Sequence, residues 1–451
     1  MKCRSRFSLS IAAALAAAVT LGVGGAEASS LDTGSVTFPW GSVAPMSDIE
    51  KVLSNPAQDR MEAAARLMVL APEVQAAKHR MIEELGSWEH VTDDAARQEI
   101  VRYVDGMATV QAMRVWQEQR EPTAIFRMPF PIGRAGLENP DNIYRSMMVD
   151  SRYSYVITGK KTNSFGLYFQ LVSGDQGDGS LFETLGSLSE EDLKTDPDGN
   201  FRITLNGAPD GAPGENHIQL KPGSKIIYVR DTMPDWSSMV PASLSLERIG
   251  GDPVVPLANP AAEVARRIVS NTTFWMGYVD RLSAIPANTM RSPAPAAVGL
   301  PGQVNVFGRF DLDPDQAMIV TVDAADAPYF VIQVANNLFT SINYWDHTSS
   351  LNNTQAQANP DGSITFVIAD KDPGVANWLD PAGVETGLIF ARWQGLANGV
   401  VPPAPTVRIV PTAQVTEVLP AGTPTMTPDE RRAQLRERRA DFDRRGIVPV
   451  S

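Results

Sequence analysis

Tyr344-Trp345-Asp346-His347 is the segment of this sequence best equipped for chemistry. A carboxylate beside an imidazole can move a proton near neutral pH, which makes Asp346 and His347 a candidate catalytic acid/base pair. Adjacent residues on a strand point to opposite faces, so the two cooperate only if they lie in a loop. The plainer alternative is a strand end with a solvated polar tip. A second group is Asn377, Trp378, Asp380, Arg392 and Trp393. With Tyr344 and Trp345 it supplies aromatic surface and polar anchors for an apolar or sugar-like ligand. The structural alternatives are that Asn377 caps a loop and Trp378 plugs a core. Arg392 alternates with Leu388 and Phe390, so it shares a face with apolar residues. An arginine in that setting needs a carboxylate partner or a ligand anion. Arg230 recurs at the matching place upstream, which favours an internal ion pair serving the fold.

Other chemistries lack their signatures. The four histidines, His79, His90, His217 and His347, show no metal-ligand spacing, and no metal or cofactor is expected. Asp175-Gln176-Gly177-Asp178-Gly179 has the alternating oxygens of a calcium loop, but Gly186 falls at the twelfth position, where glutamate is needed. A plain acidic turn is the default there. There is no Gly-x-Ser-x-Gly elbow, phosphate loop or dinucleotide fingerprint. The net charge of −13 disfavours a nucleic-acid partner.

These residues must be positioned by elements, and the elements repeat. Asp198 and Asp361 stand 361 − 198 = 163 residues apart within two Pro-Asp-Gly turns. Asp150/Asp313, Thr158/Thr321 and Gln170/Gln333 keep that spacing. Asn216/Asn377 and Arg230/Arg392 drift by one or two residues, as a loop of changed length allows. Identities held in register over such a distance indicate an internal repeat. Phe201, Ile203 and Leu205 alternate with Arg202 and Thr204, Tyr153, Tyr155 and Ile157 alternate with Ser154 and Val156, and Ile364, Phe366 and Ile368 repeat the pattern. That is the period of a pleated strand. Leu167–Val172 and Tyr329–Val334 are apolar on both faces and belong in sheet centres.

The remainder organises around the two copies. Met61, Ala64, Ala65 and Met68 share a helix face; Pro72 opens a helix striped by Val74, Ala77, Met81 and Leu85; Thr92 caps a third. Asn259 and Pro260 open a helix between the copies. Val400–Thr425 is Pro-rich and extended. Thr427–Glu430 is a capping box, with Arg431, Arg432, Arg436, Arg438, Arg439, Arg444 and Arg445 behind it. That helix reads as solvated and resting on the acidic body; the alternative is contact with an anionic envelope surface or a partner. Lys2, Arg4 and Arg6, the apolar run from Leu9 to Val23, and Ala26-Glu27-Ala28 form a signal peptide with its cleavage site. Cleavage before Ser29 removes the only cysteine, Cys3, and no stable membrane span is then expected. The removal takes the net charge from −13 to −15. A cysteine-free exported chain suits a bacterial periplasmic or secreted protein.

Asn139–Gly159 and Asp372–Trp393 resemble bacterial proteins carrying the "domain of unknown function 1214". The closer match runs from Tyr329 to Trp393, through the Asn-Pro-Asp-Gly turn, Asn377-Trp378-Leu379, Gly383 and Arg392. The first copy departs from it with His217 where the second has Trp378. The resemblance implies a β-sandwich or jelly-roll fold and a pairing with a related β-domain, and it supplies no activity.

The expected fold is α+β. A signal peptide (1–28) and a helical region (46–125) precede two homologous, antiparallel, jelly-roll-like β-sandwiches (139–250 and 303–396). A helix (259–285) joins the sandwiches, and a Pro-rich linker (400–426) and an Arg-rich helix (427–446) follow. The expected function is binding of a small apolar or sugar-like ligand between the sandwiches. A cofactor-free lyase, isomerase or hydrolase using Asp346 and His347 is the alternative.

Overall fold

The structure is a computed structural model that describes residues 54–129, 132–175, 183–206, 216–251, 255–296, 300 and 302–445. The signal peptide, the lead-in to residue 53 and all of the acidic turn except Asp175 lie outside the described residues.

Helices α1 (Pro56–Met68), α2 (Pro72–Gly86) and α3 (Asp94–Arg120) come first. Val74, Ala77, Met81 and Leu85 of α2 are all buried, as their spacing requires. The cap of α3 is Asp93, not Thr92: its carboxylate accepts the Ala96 amide at 2.6 Å. An ionised acceptor also meets the positive helix end better than a hydroxyl. Helix α4 (Pro260–Leu282), capped by Asn259, returns to this group. Its Val264 and Ile268 join the core of α1–α3.

The strands form two sets. In the first, β1 (Phe126–Arg127), β2 (Asn142–Met148), β4 (Gly166–Val172), β5 (Thr184–Leu188) and β8 (Ile226–Thr232) make a sheet ordered β1-β2-β8-β4-β5. β3 (Ser154–Lys160), β6 (Asn200–Leu205), β7 (Asn216–Ile218) and β9 (Ser243–Ile249) make another, ordered β7-β6-β3-β9. In the second set, β10 (Thr289–Met290), β11 (Ala294–Pro295), β12 (Val304–Asp311), β14 (Tyr329–Asn336), β15 (Ser350–Asn352) and β18 (Thr386–Gln394) form one sheet. β13 (Gln316–Val322), β16 (Ile364–Ala369), β17 (Trp378–Leu379) and β19 (Thr406–Pro411) form the other, ordered β17-β16-β13-β19. Pairing is antiparallel except at β6–β7 and β16–β17, which are parallel. Each set shares one core between its sheets: Phe169, Val229, Tyr155 and Phe201 meet in the first, and Phe330, Ile389, Val320 and Phe366 in the second.

The registers of the two sets correspond. Thr158 faces Arg202 and Thr321 faces Thr365; Tyr144 faces Arg230 and Asn305 faces Arg392. Gly199 and Gly362 close the Pro-Asp-Gly turns at φ of 85° and 87°, a backbone state that glycine alone adopts without strain. β4 and β14 each lie between two strands, as their apolar faces predict.

The segment expected as an extended linker, 400–426, is only partly one. Residues 406–411 are β19, paired with β13, and a 3₁₀ turn and helix α5 (Val415–Val418) follow. Val407 and Ile409 pack onto the second core. Prolines at both ends obscure a strand that tolerates them because it sits at a sheet edge.

Helix α6 (Pro428–Arg444) has the expected capping box but is not a solvated helix. Arg431, Arg438 and Arg445, spaced by sevens on one face, are buried. Arg431 donates to the Val375 and Ala376 carbonyls and to Asp372. Arg438 donates to the Tyr344 carbonyl and Ser350, and stacks 4.6 Å over Trp236. Arg445 donates to the Pro140 carbonyl. The helix therefore straps both strand sets. Among the described residues, no helix is long and apolar enough to cross a membrane.

Candidate ligand-binding site

The outer faces of the two larger sheets do not meet solvent alone. Helices α3 and α4 and the loop 132–139 cover them, leaving a cavity of about 240 Å³. Alternation along each strand decides what enters it. On β18, Ile389, Ala391 and Trp393 point into the core, so Phe390, Arg392 and Gln394 point out to the cavity. β12 sends Asn305 and Phe307 outward, and Tyr144 and Arg230 come from β2 and β8. Trp275 and Tyr278 of α4 face them across the space.

The apolar wall is continuous. Phe307 and Phe390 stack at 4.1 Å, Trp275 stacks on Phe339 at 5.2 Å, and Tyr278 lies 4.9 Å from Phe339. The loop is fitted tightly against this wall. Gly136 has φ of 76°, and a β-carbon there would stand 2.7 Å from the Trp275 ring. Leu137 holds a left-handed φ of 51°. Its amide donates to the Phe339 carbonyl at 2.9 Å, and its own carbonyl takes Arg392 Nη2 at 2.6 Å. Such backbone strain persists only where the surroundings enforce it.

Arg392 is 5% exposed and corrects the expectation of an ion pair. Its partners are neutral: Gln333 Oε1, the Leu137 carbonyl and the Phe390 ring, whose centroid is 3.9 Å from the guanidinium carbon. Burial pushes its pKa down, against weaker support from Tyr144, Tyr329, Glu138 and Asp141. Arg230 repeats the arrangement with Gln170 at 2.6 Å and the Tyr144 ring at 6.0 Å.

The other residues singled out by sequence lie elsewhere. Tyr344 and Trp345 pack under α6 with Phe442, in a small core completed by Trp236 and Ile143. Their aromatic surface is already covered and does not line the cavity. Trp393 is wholly buried between the second pair of sheets, its indole N–H donated to the Asp323 carbonyl. Trp378 is a core plug whose indole donates to the Ala369 carbonyl at 2.7 Å. His217, on the matching strand, bonds Thr204 instead. Asn377 pins a loop to a strand by accepting from the Gln357 amide and donating to the Gln357 and Thr365 carbonyls. Asn216 does the same with Lys194 and Arg202. Asn377→Ala is therefore expected to lower the unfolding free energy by about 1–3 kcal/mol in chemical denaturation, since it strands buried amide partners.

Asp346 and His347 are not hydrogen-bonded to each other, and each has a different partner. Asp346 pairs with Arg439 at 2.6 Å and caps its own turn through Asn343. His347 Nδ1 meets Asp380 Oδ2 at 2.7 Å. The Asp380 hydrogen bond raises the imidazole pKa; partial burial opposes it, and the charges of Asp380 and Asp346 reinforce it. The protonated form is favoured in the fold. Its stabilisation is complete below about pH 6.5, the ordinary value, and is lost as pH rises through the raised one. An NMR titration should place His347 above that value, and Asp380→Asn should bring it down.

The sequence contains a signal for only part of this cavity. The outward phase of Phe390 and Arg392 is legible from alternation. That Trp275, Tyr278 and Phe307 converge on them depends on α4 crossing the sheet.

No family model matches the chain, and a search of curated proteins returns no match. Among solved structures, it is similar to an uncharacterized protein from Burkholderia cenocepacia. The identity is 26% and the TM-score 0.67, with 77% of this chain and 99% of that one covered. A protein from Vibrio parahaemolyticus aligns over 68% of this chain and 98% of its own, at 13% identity and a TM-score of 0.38.

Proposed function

We propose that this chain is an exported binding protein. Its two strand sets are copies of one β-sandwich module of the "domain of unknown function 1214" type, and a small, largely apolar molecule occupies the cavity between them. The cavity carries this reading. Aromatic rings from helix α4 and from the second strand set converge there, and the buried Arg392 faces them without an ion-pair partner among the described residues. Its volume, about 240 Å³, is small beside ligand pockets on the order of 300–1,000 Å³. That suits a single compact molecule rather than a polymer. The basic start, apolar run and Ala26-Glu27-Ala28 support export to the periplasm or beyond. Envelope contact by α6 forms no part of the proposal, because three of its arginines are turned into the body.

Native mass spectrometry of protein purified without denaturation tests it. A small-molecule adduct is expected, and Ala135→Trp, which fills the cavity, should abolish it. Absence of any adduct, together with no binding of apolar probes, would sink the reading.

A further inference from the structure

Among the described residues, the cavity wall carries six charged side chains: Arg114, Arg134, Arg230, Arg392, Glu138 and Asp175. Arg114 is matched by Asp175, and Arg134 by Glu99 just outside the wall. Glu138 accepts the Ser341 hydroxyl with one oxygen, its Oε2 has no partner among the described residues, and burial pushes its pKa up, which favours the neutral acid. Among the described residues no carboxylate forms an ion pair with Arg230 or Arg392, and Glu138 and Asp141 act on Arg392 only weakly, against the larger effect of burial. In a chain of net charge −13, a local surplus of buried cation is not a by-product of composition.

A guanidinium has five N–H bonds. Arg392 donates two, to Gln333 and Leu137, and Arg230 donates one, to Gln170. Two further donors on the wall lack a partner: Arg114 Nε and Asn271 Nδ2, in side chains 4% exposed. An unmatched buried cation is costly, and an anion brought by a ligand would relieve it. A planar carboxylate fits a guanidinium edge with two parallel hydrogen bonds. The rings of Phe307, Phe390, Tyr278 and Trp275 leave the rest of such a ligand an apolar bed.

Resting on the binding reading above, we propose that the cavity binds a small carboxylic acid with a ring or short hydrocarbon body, its carboxylate held by Arg392 with Arg230 as second donor. Glutamines 170 and 333 are then positioning residues, each fixing one arginine from the next strand.

The test compares 3-phenylpropionate with its neutral amide, by calorimetry on the whole exported chain. The acid should bind on the order of 10–100-fold more tightly, because a hydrogen bond to a charged group is the stronger one. Arg392→Gln should erase that preference and Arg392→Lys should restore part of it. Arg230→Gln, at a half-buried site, gives the same comparison if the buried variant fails to fold. Equal affinity of acid and amide for the unaltered protein would overturn the carboxylate proposal and leave the binding reading standing. If neither probe binds, the co-purified molecule decides. A carboxylic acid supports the proposal, a neutral compound overturns it alone, and no adduct overturns both readings.

Discussion

Phe442→Ala should lower the unfolding free energy by about 3–5 kcal/mol, the range for truncating a buried phenylalanine. The size follows from Phe442 being the apolar anchor of α6, a helix otherwise held by the polar contacts of Arg431, Arg438 and Arg445. Its sequence is almost wholly polar, and a short isolated helix of that kind is marginal in water. Phe442 is its one fully buried apolar side chain, 5.4 Å from the Trp345 ring and 5.8 Å from Tyr344. Removing it opens a void between two tryptophans and a tyrosine, and loosens the contacts of Arg438 beneath Trp236. Denaturant titration gives the energy, and a red shift in tryptophan emission should report water reaching Trp236 and Trp345. Arg432→Ala and Arg436→Ala serve as controls: both side chains are exposed, and each should stay within about 0.5 kcal/mol. A comparable loss in the controls would return the helix to a purely electrostatic role.

That helix also shows what a one-dimensional pattern hides. Seven arginines in one stretch read as a solvated face, because cations are rarely buried. Yet Arg431, Arg438 and Arg445 fall on one side at a spacing of seven, near two helical turns. The spacing was present in the sequence. What was missing was a reason to expect carbonyl acceptors opposite, and those come from loops and turns that only the fold brings together, such as Val375, Tyr344 and Pro140.

Strand periodicity was the better guide. Alternation located β6 and β16, and the Asp-Pro-Asp-Gly and Asn-Pro-Asp-Gly turns located their starts. Residues at the shared offset stand in like pairings, Thr158 with Arg202 and Thr321 with Thr365. β19 was missed because the four prolines around it, Pro402, Pro403, Pro405 and Pro411, outweighed the alternation of Val407 and Ile409. The site was less legible for a simple reason. Aromatic residues near one another in sequence, Tyr344 and Trp345, suggested a surface for ligand, whereas Phe442, which buries them, stands 442 − 345 = 97 residues further on and shares no local pattern with them. Arg392 was correctly placed among apolar neighbours, but whether a carboxylate or a glutamine stands opposite is decided by cross-strand pairing.

Asp231→Ala should cost about 3–5 kcal/mol, because it strands a buried arginine. Arg145 and Asp231 lie within the first pair of sheets, 4% and 0% exposed, with Nη2 and Oδ2 2.5 Å apart. The same carboxylate oxygen accepts the Ala242 amide at 2.7 Å. Desolvation pushes the pKa of Asp231 up and that of Arg145 down, so each is held charged chiefly by the other. The second strand set shows that a pair of packed sheets in this chain does not need this ion pair. Register places Trp393 where the first set has Asp231, and Val306 where it has Arg145. An apolar solution to the same backbone position thus already exists in this chain. Arg145→Val combined with Asp231→Leu should therefore recover most of the loss, as replacement of buried pairs by packed hydrophobic residues commonly does. A double-mutant cycle separates the outcomes. If the double variant is as unstable as Asp231→Ala, the pair is fixed by its hydrogen bonds to Ala242 rather than by mutual charge. The exposed pair Asp150–Arg152 gives the contrast, since Asp150→Ala should change stability by no more than about 1 kcal/mol.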